Sequence, residues 1–354
     1  MVERWDVFAR LVVTLCNVTI TPAQSVPPAA SHVLPPPDVI LEEEPTRPRR
    51  FVTSGTNPLG VAMGTSGAPT GDVVMHVAFS PDGKWLLAGW YLGRLDLWNT
   101  STWTKVRTIQ THQGNVTALA VSGDGSLVAT GGEDGKVKIW NITTGASLVK
   151  LEGFGSDPMH LSFSSDGKLI AVAVKGGLGQ VRDVSSREVV KRMRANDLTF
   201  VQPGDILITA QANDLISWNL KTGEVARKLS DPEDVFSLLK VDWKKGNLAT
   251  VGVREAGQTI WDIPSRKRRL KIESGHTGSF CADPNWGWIA TASGGDLRLW
   301  SAESGTMLCG SSILLLGEVS GSADGRWLAA GVEDQIRVWS ADSLLRACGG
   351  AAAP

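Results

Sequence analysis

His112–Trp140 reads HQGNVTALAVSGDGSLVATGGEDGKVKIW. Its last four residues, Val137-Lys138-Ile139-Trp140, alternate apolar with polar, the period of a strand with one buried face. Gly123-Asp124-Gly125 pairs a side chain that can bond its own backbone with glycines that tolerate positive φ, as a tight hairpin requires. The order is therefore strand, hairpin, apolar strand, turn and a short strand ending on Trp. One antiparallel meander is written in under thirty residues.

The same sentence recurs from residue 72 onward. Its closings are LDLW at Trp98, VKIW at Trp140, LISW at Trp218, TIW at Trp261, LRLW at Trp300 and IRVW at Trp339, with QVRD placing Arg182 where a seventh Trp belongs. The steps between these anchors are 42, 42, 36, 43, 39 and 39 residues, close to the length of one four-stranded propeller blade. Turns recur in phase: Ser80-Pro81-Asp82-Gly83, Ser165-Asp166-Gly167, Gln202-Pro203-Gly204, Lys245-Gly246-Asn247, Asp283-Pro284-Asn285 and Ala323-Asp324-Gly325. The expected fold is all-β, a seven-bladed β-propeller of four-stranded antiparallel blades over residues 49–348, with a six-residue tail at 349–354.

At these residues the chain resembles the WD-repeat β-propeller family. The resemblance implies that each first strand lines a central channel and each fourth strand is outermost. It also implies a buried tetrad of His, Ser or Thr, Asp and the anchor Trp. The full set is present in the second repeat as His112, Thr130, Asp134 and Trp140. The sixth repeat keeps His276, Thr291 and Trp300 but has Gly294 and Gly295 in the turn; the first has Ala88 and Leu92 for the hydroxyl and the acid. Apolar packing between blades must then carry most of the stability. The outer strand of the last blade could come from Leu344–Cys348, or from Phe51–Ser54 or Leu59–Met63.

Residues 1–48 differ from the rest. Leu11–Ile20 (LVVTLCNVTI) has the length of a secretion signal's apolar region, while Glu3 and Asp6 cancel Arg4 and Arg10. Cytoplasmic residence is the expectation and export the alternative. From Thr21 to Arg50 the chain is Pro-rich (VPPAA, LPPP, EEEP, RPRR) and reads as a semi-extended linker. Cys16, Cys281, Cys309 and Cys348 show no metal-ligand spacing. A strand-a Cys281 and a strand-d Cys309 lie about 14 Å apart, at about 4.8 Å per strand, beyond the reach of a disulfide. Four free thiols are expected.

Charge excludes further classes. Lys plus Arg (35) against Asp plus Glu (36) leaves −1, so no global basic field draws the chain to nucleic acid. No run of 18 apolar residues offers a membrane span. Two basic segments, Arg187–Arg194 and Arg266–Lys271, fall on outer strands, where charge keeps sheet edges from pairing with other chains. His76 and His160 occupy equivalent inner-strand positions two blades apart, too distant to share a metal ion. No nucleophile elbow, phosphate loop or general acid–base pair stands out. No cofactor is expected.

Trp90-Tyr91-Leu92 replaces a polar turn between the second and third strands of the first blade, and exposed Trp and Tyr dominate binding energy at interfaces. Arg254-Glu255 lies in the equivalent turn of blade five. These five residues are the candidate protein-binding site, against the alternative that the aromatics fold over the channel mouth or onto the N-terminal segment. The resulting functional reading is a non-catalytic platform for one or more proteins, a monomeric propeller within a complex. A propeller enzyme or small-ligand binder using the channel mouth is the alternative.

Overall fold

The computed structural model describes residues 34, 37–42, 72–201, 206–231, 235–242, 247–252, 257–262, 267–272, 278–285, 287–293, 295–313 and 315–348. They form seven four-stranded antiparallel sheets, each a meander of strands a to d. Blade one is Val74–Phe79, Trp85–Trp90, Arg94–Asn99 and Thr104–Gln110; blade two is Val116–Val121, Leu127–Gly132, Lys136–Asn141 and Ser147–Leu151. Blade three runs from strand Pro158–Phe163 to strand Val189–Arg194, blade four from Asp197–Val201 to Glu224–Ser230, and blade five from Phe236–Asp242 to Lys267–Ile272. Blade six runs from Ser279–Ala282 to Met307–Ser312. The first strands of blades one to five lie side by side in order, and those of blades six, seven and one likewise, closing the ring between the last blade and the first.

Blade seven takes Leu315–Gly321, Trp327–Val332 and Gln335–Ser340, and its outer strand is Val39–Glu42, paired antiparallel with Gln335–Val338. Of the alternatives left open, this excludes Leu344–Cys348. Those residues fall at the end of a helix, Ala341–Ala347, and at its C-cap, Cys348. Ser340 caps this helix by accepting from the Ser343 N–H, Asp342 lies in the first turn and Arg346 in the last, so cap and charges favour a helix over a strand. Phe51–Ser54 and Leu59–Met63 lie outside the described residues. Val39–Glu42 (VILE) was hidden within the Pro-rich stretch: Pro is excluded from central strands, but an edge strand tolerates it nearby. Leu41 is buried and Ile40 exposed, so the short strand keeps period 2. The Asp38 carboxylate accepts from the Ser340 N–H (2.6 Å) and the Ser343 hydroxyl (3.1 Å), fastening the added strand to the start of the helix.

The core is distributed, because every blade is covered on both faces by its neighbours. Each of the seven clusters of buried apolar residues described spans one blade interface. Leu87, Leu95 and Leu97 of blade one meet Val128, Trp140 and Ile142 of blade two. Between blades three and four, Ala171, Ala173 and Val181 meet Leu198, Phe200 and Leu207. Burial on both faces explains the apolar b strands, such as Leu169–Val174 (LIAVAV), where alternation disappears.

Two recurring local devices shape the blades. In four a–b hairpins a Ser hydroxyl donates to the Asp two residues on: Ser80 to Asp82 (2.6 Å), Ser122 to Asp124 (2.5 Å), Ser164 to Asp166 (2.7 Å) and Ser322 to Asp324 (2.5 Å). The following glycine in each takes φ near +70°. The second device lies opposite the anchor, where the c–d ladders of blades one to six all shift register. Val106, Leu148 and Val190 are the extra residues in the first three. Such bulges twist the outer edge away from other chains.

The expectation of four free thiols is corrected. Cys309, on the outer strand of blade six, and Cys348, at the end of the C-terminal helix, form a disulfide with Cα atoms 5.3 Å apart. The helix brings Cys348 over the interface between blades six and seven, where Cys281 is also buried. Cys281 and Cys309 stay unpaired with each other, as their strand spacing requires, but that spacing did not bear on Cys348. Cys16 lies outside the described residues.

Candidate partner-binding face

The described b–c and d–a turns emerge on one face, as the antiparallel meanders require. In blade one, Trp90 ends strand b in phase with Leu86 and Ala88, so the pleat turns its ring the same way. All three belong to the core between blades seven and one. Trp90 is only 1% exposed, with the Arg94 guanidinium 4.0 Å above its ring. The ring is therefore a packing element and not an exposed anchor, and it lies in a blade interface, not over the channel mouth.

Tyr91 and Leu92 form the turn itself. Burial raises the pKa of the half-buried Tyr91 phenol, and the charge of Glu133, from the matching turn of blade two, adds to it. Leu92 is 56% exposed, yet its backbone is held at both ends. Its N–H donates to Asp72 Oδ1 (2.9 Å), and its carbonyl accepts from Gln110 Nε2 (2.8 Å). Gly93 closes the turn with φ +78°, and a Cβ there would collide with the His112 carbonyl oxygen. The Gly93 carbonyl collects the N–H groups of Thr111 and His112 and the Thr111 hydroxyl. The turn presenting Leu92 is thus tied to the loop that enters blade two.

That loop leads into the tetrad. His112 Nδ1 lies 2.9 Å from Asp134 Oδ1 and Nε2 lies 2.8 Å from Thr130 Oγ1; Trp140 Nε1 donates to the same hydroxyl over 3.1 Å. One arrangement satisfies every donor: Trp140 to Thr130, Thr130 to His112 Nε2, and Nδ1–H to the Asp134 carboxylate. Burial holds the His112 pKa below its ordinary value although Asp134 pulls the other way, which keeps the ring neutral.

The Thr–Trp half of this network is wider than the sequence reading allowed. Trp218 donates to Thr209 (3.0 Å), Trp261 to Thr250 (3.1 Å) and Trp300 to Thr291 (2.9 Å). The available signal was a Thr nine to eleven residues before each Trp. His276 lies outside the described residues. Blade three replaces the network altogether. Arg182 stands in the Trp position, donates twice to Gln180 Oε1 (3.1 and 2.9 Å) and stacks 4.4 Å over Phe154. Phe154 precedes Val172 by the same interval that separates His112 from Thr130, so a cation–π pair occupies the space of the His–Trp pair.

Leu178, also 56% exposed, was missed. It opens strand c of blade three directly after Gly176 and Gly177, both at positive φ. The other six c strands begin with Arg94, Lys136, Asp214, Gly257, Asp296 and Gln335, so an apolar residue there was the readable sign. Arg254 and Glu255 lie outside the described residues. On the inner strands His76 pairs with Glu318 of blade seven (3.1 Å) and His160 with Asp197 of blade four (3.5 Å). Among the described residues, no three His, Cys, Asp or Glu side chains are grouped to hold a metal ion, and no helix is long and apolar enough to cross a membrane.

The family model for the WD domain, G-beta repeat, matches residues 62–99 and 103–141. The chain is a seven-bladed β-propeller, with WD repeats matched over its first two blades. The second matched unit begins just before the outer strand of blade one and ends on strand c of blade two, so the WD repeat is staggered against the blade. Each repeat thereby ties two blades together, and the stagger leaves the last blade in need of Val39–Glu42. No curated protein matches the chain.

Proposed function

We propose that this WD-repeat propeller is a non-catalytic protein-interaction platform, a single propeller working within a larger complex. Its partner face is centred on Leu92 and Leu178, with Tyr91 beside Leu92. The observation that carries the reading is that these two leucines are the most exposed of the described large apolar side chains, Leu92 within a b–c turn and Leu178 directly after one. Rigid display lowers the entropy lost on binding, and the bonds from Asp72, Gln110 and Gly93 supply that rigidity. A photocrosslinking residue at position 92, compared with one at Ser101 in the c–d turn of the opposite face, tests the assignment in the native cell. Crosslinks at 92 that Leu178→Asp abolishes support it; equal crosslinking from both faces overturns it.

The disulfide supports residence in an oxidising compartment over the cytoplasm. The apolar run Leu11–Ile20 is in keeping with export. Fractionation of the native cell, with a thiol count on the recovered protein, decides between the compartments.

A further inference from the structure

The outer strands of blades three, four and five, Val189–Arg194, Glu224–Ser230 and Lys267–Ile272, carry nine basic residues and one acidic residue. The other four outer strands carry three basic residues (Lys105, Arg107, Lys150) and one acidic residue, Glu42. With −1 on the whole chain and +8 on three strands, the rest of the protein carries −9. The charge is concentrated on one sector of the rim. Read from the sequence, the two basic segments were separated by blade four; in the fold, Arg227 and Lys228 bridge that gap.

Cross-blade bonds join the sector into one wall. Lys191 of blade three donates to the Gly223 carbonyl in the c–d turn of blade four (2.6 Å) and lies 4.5 Å over the Trp218 ring. Arg268 of blade five bridges Asp231 at the end of blade four (2.7 Å). Asp214 pairs with Lys228 (2.9 Å). Arg187, Arg192, Arg194, Arg227 and Arg269 point to solvent. Edge protection alone does not account for this concentration, because the outer strands of blades one and two carry only three basic residues between them.

We infer that this sector is a second docking surface, for an extended acidic segment of a partner protein. Charge complementarity selects a polyanion. Val190 and Val225, each 49% exposed among the cations, select a peptide with interspersed apolar side chains over a phosphate backbone, which has no use for them. The surface is separate from the Leu92 face and does not rest on that assignment.

The test uses the full chain and a fluorescein-labelled peptide of four ELDE repeats, read by anisotropy at low ionic strength and again at physiological salt. Combining Arg192→Glu, Arg227→Glu and Arg269→Glu should weaken binding by about tenfold or more. Lys105→Glu with Arg107→Glu and Lys150→Glu should leave affinity within about twofold, as should Leu92→Asp, which tests only the other face. If the triple Glu variant melts early, the same three positions changed to Gln replace it. Several results would overturn the inference. They are no peptide binding by the wild type, equal loss in the blade one–two control, tighter binding of duplex DNA or phosphatidylserine vesicles than of the peptide, or self-association that the triple variant abolishes.

Discussion

Thr130 is the pivot of the tetrad, since its hydroxyl serves both Trp140 and His112. Thr130→Val keeps the shape but strands the indole N–H and the imidazole nitrogen, and should cost about 1–3 kcal/mol in a denaturant melt. Thr209→Val strands only the Trp218 N–H and should cost less. His112 also predicts a pH dependence. Burial depresses its pKa in the folded state, so the unfolded chain binds the proton first as pH falls. Its contribution is therefore full above about pH 6.5 and is lost as pH falls through the folded-state value. An NMR titration should place the His112 midpoint below that of a model imidazole; a higher midpoint would contradict the neutral-ring arrangement. Trp90→Ala removes a fully buried ring and should cost about 3–5 kcal/mol of stability. Loss of partner binding at unchanged melting temperature would instead restore the ring as an anchor.

At the level of elements, turns and edges decide what the strands can do. The Asp124 and Asp166 carboxylates accept from Ser122 and Ser164, and those bonds hold both below the usual carboxylate range. Their hairpins are thus stapled at neutral pH and loosen only in acid. Gly93→Ala should collapse the turn that displays Leu92, because a Cβ has no room against the His112 carbonyl. Loss of partner crosslinking together with a lower melting temperature is the expected outcome. The strands themselves were readable from the Trp closings and phased turns. The sequence left Trp90 open between anchor and packed ring, because a turn-flanking aromatic looks the same whether its strand has one covered face or two. Leu178 was legible only by comparison of all seven c-strand starts.

Across the whole molecule, ring closure and the disulfide act on adjacent interfaces, between blades seven and one and between blades six and seven. Val39–Glu42 completes blade seven, while Cys348 joins the C-terminal helix to blade six. The bridge spans 39 residues. Cys348→Ser should cost about 2–4 kcal/mol, measured by melting with and without reductant. Denatured without reductant, the protein should expose at most two reactive thiols of its four; four would remove both the bridge and the argument for an oxidising compartment.

What the sequence alone determined was periodic and local: a meander repeated seven times, hairpins that need Asp and Gly, and one complete tetrad in blade two. Strand alternation, positive-φ turns and fixed spacings are properties of short windows, so they survive without a fold. Tertiary structure alone decided the rest. It drew Val39–Glu42 from a Pro-rich stretch across some three hundred residues to Gln335–Val338, set Cys348 against Cys309, and joined two basic segments through blade four. The physical reason is ring closure. Which residues become neighbours depends on where the last blade meets the first and on which faces the adjacent blades cover, and no local window encodes either.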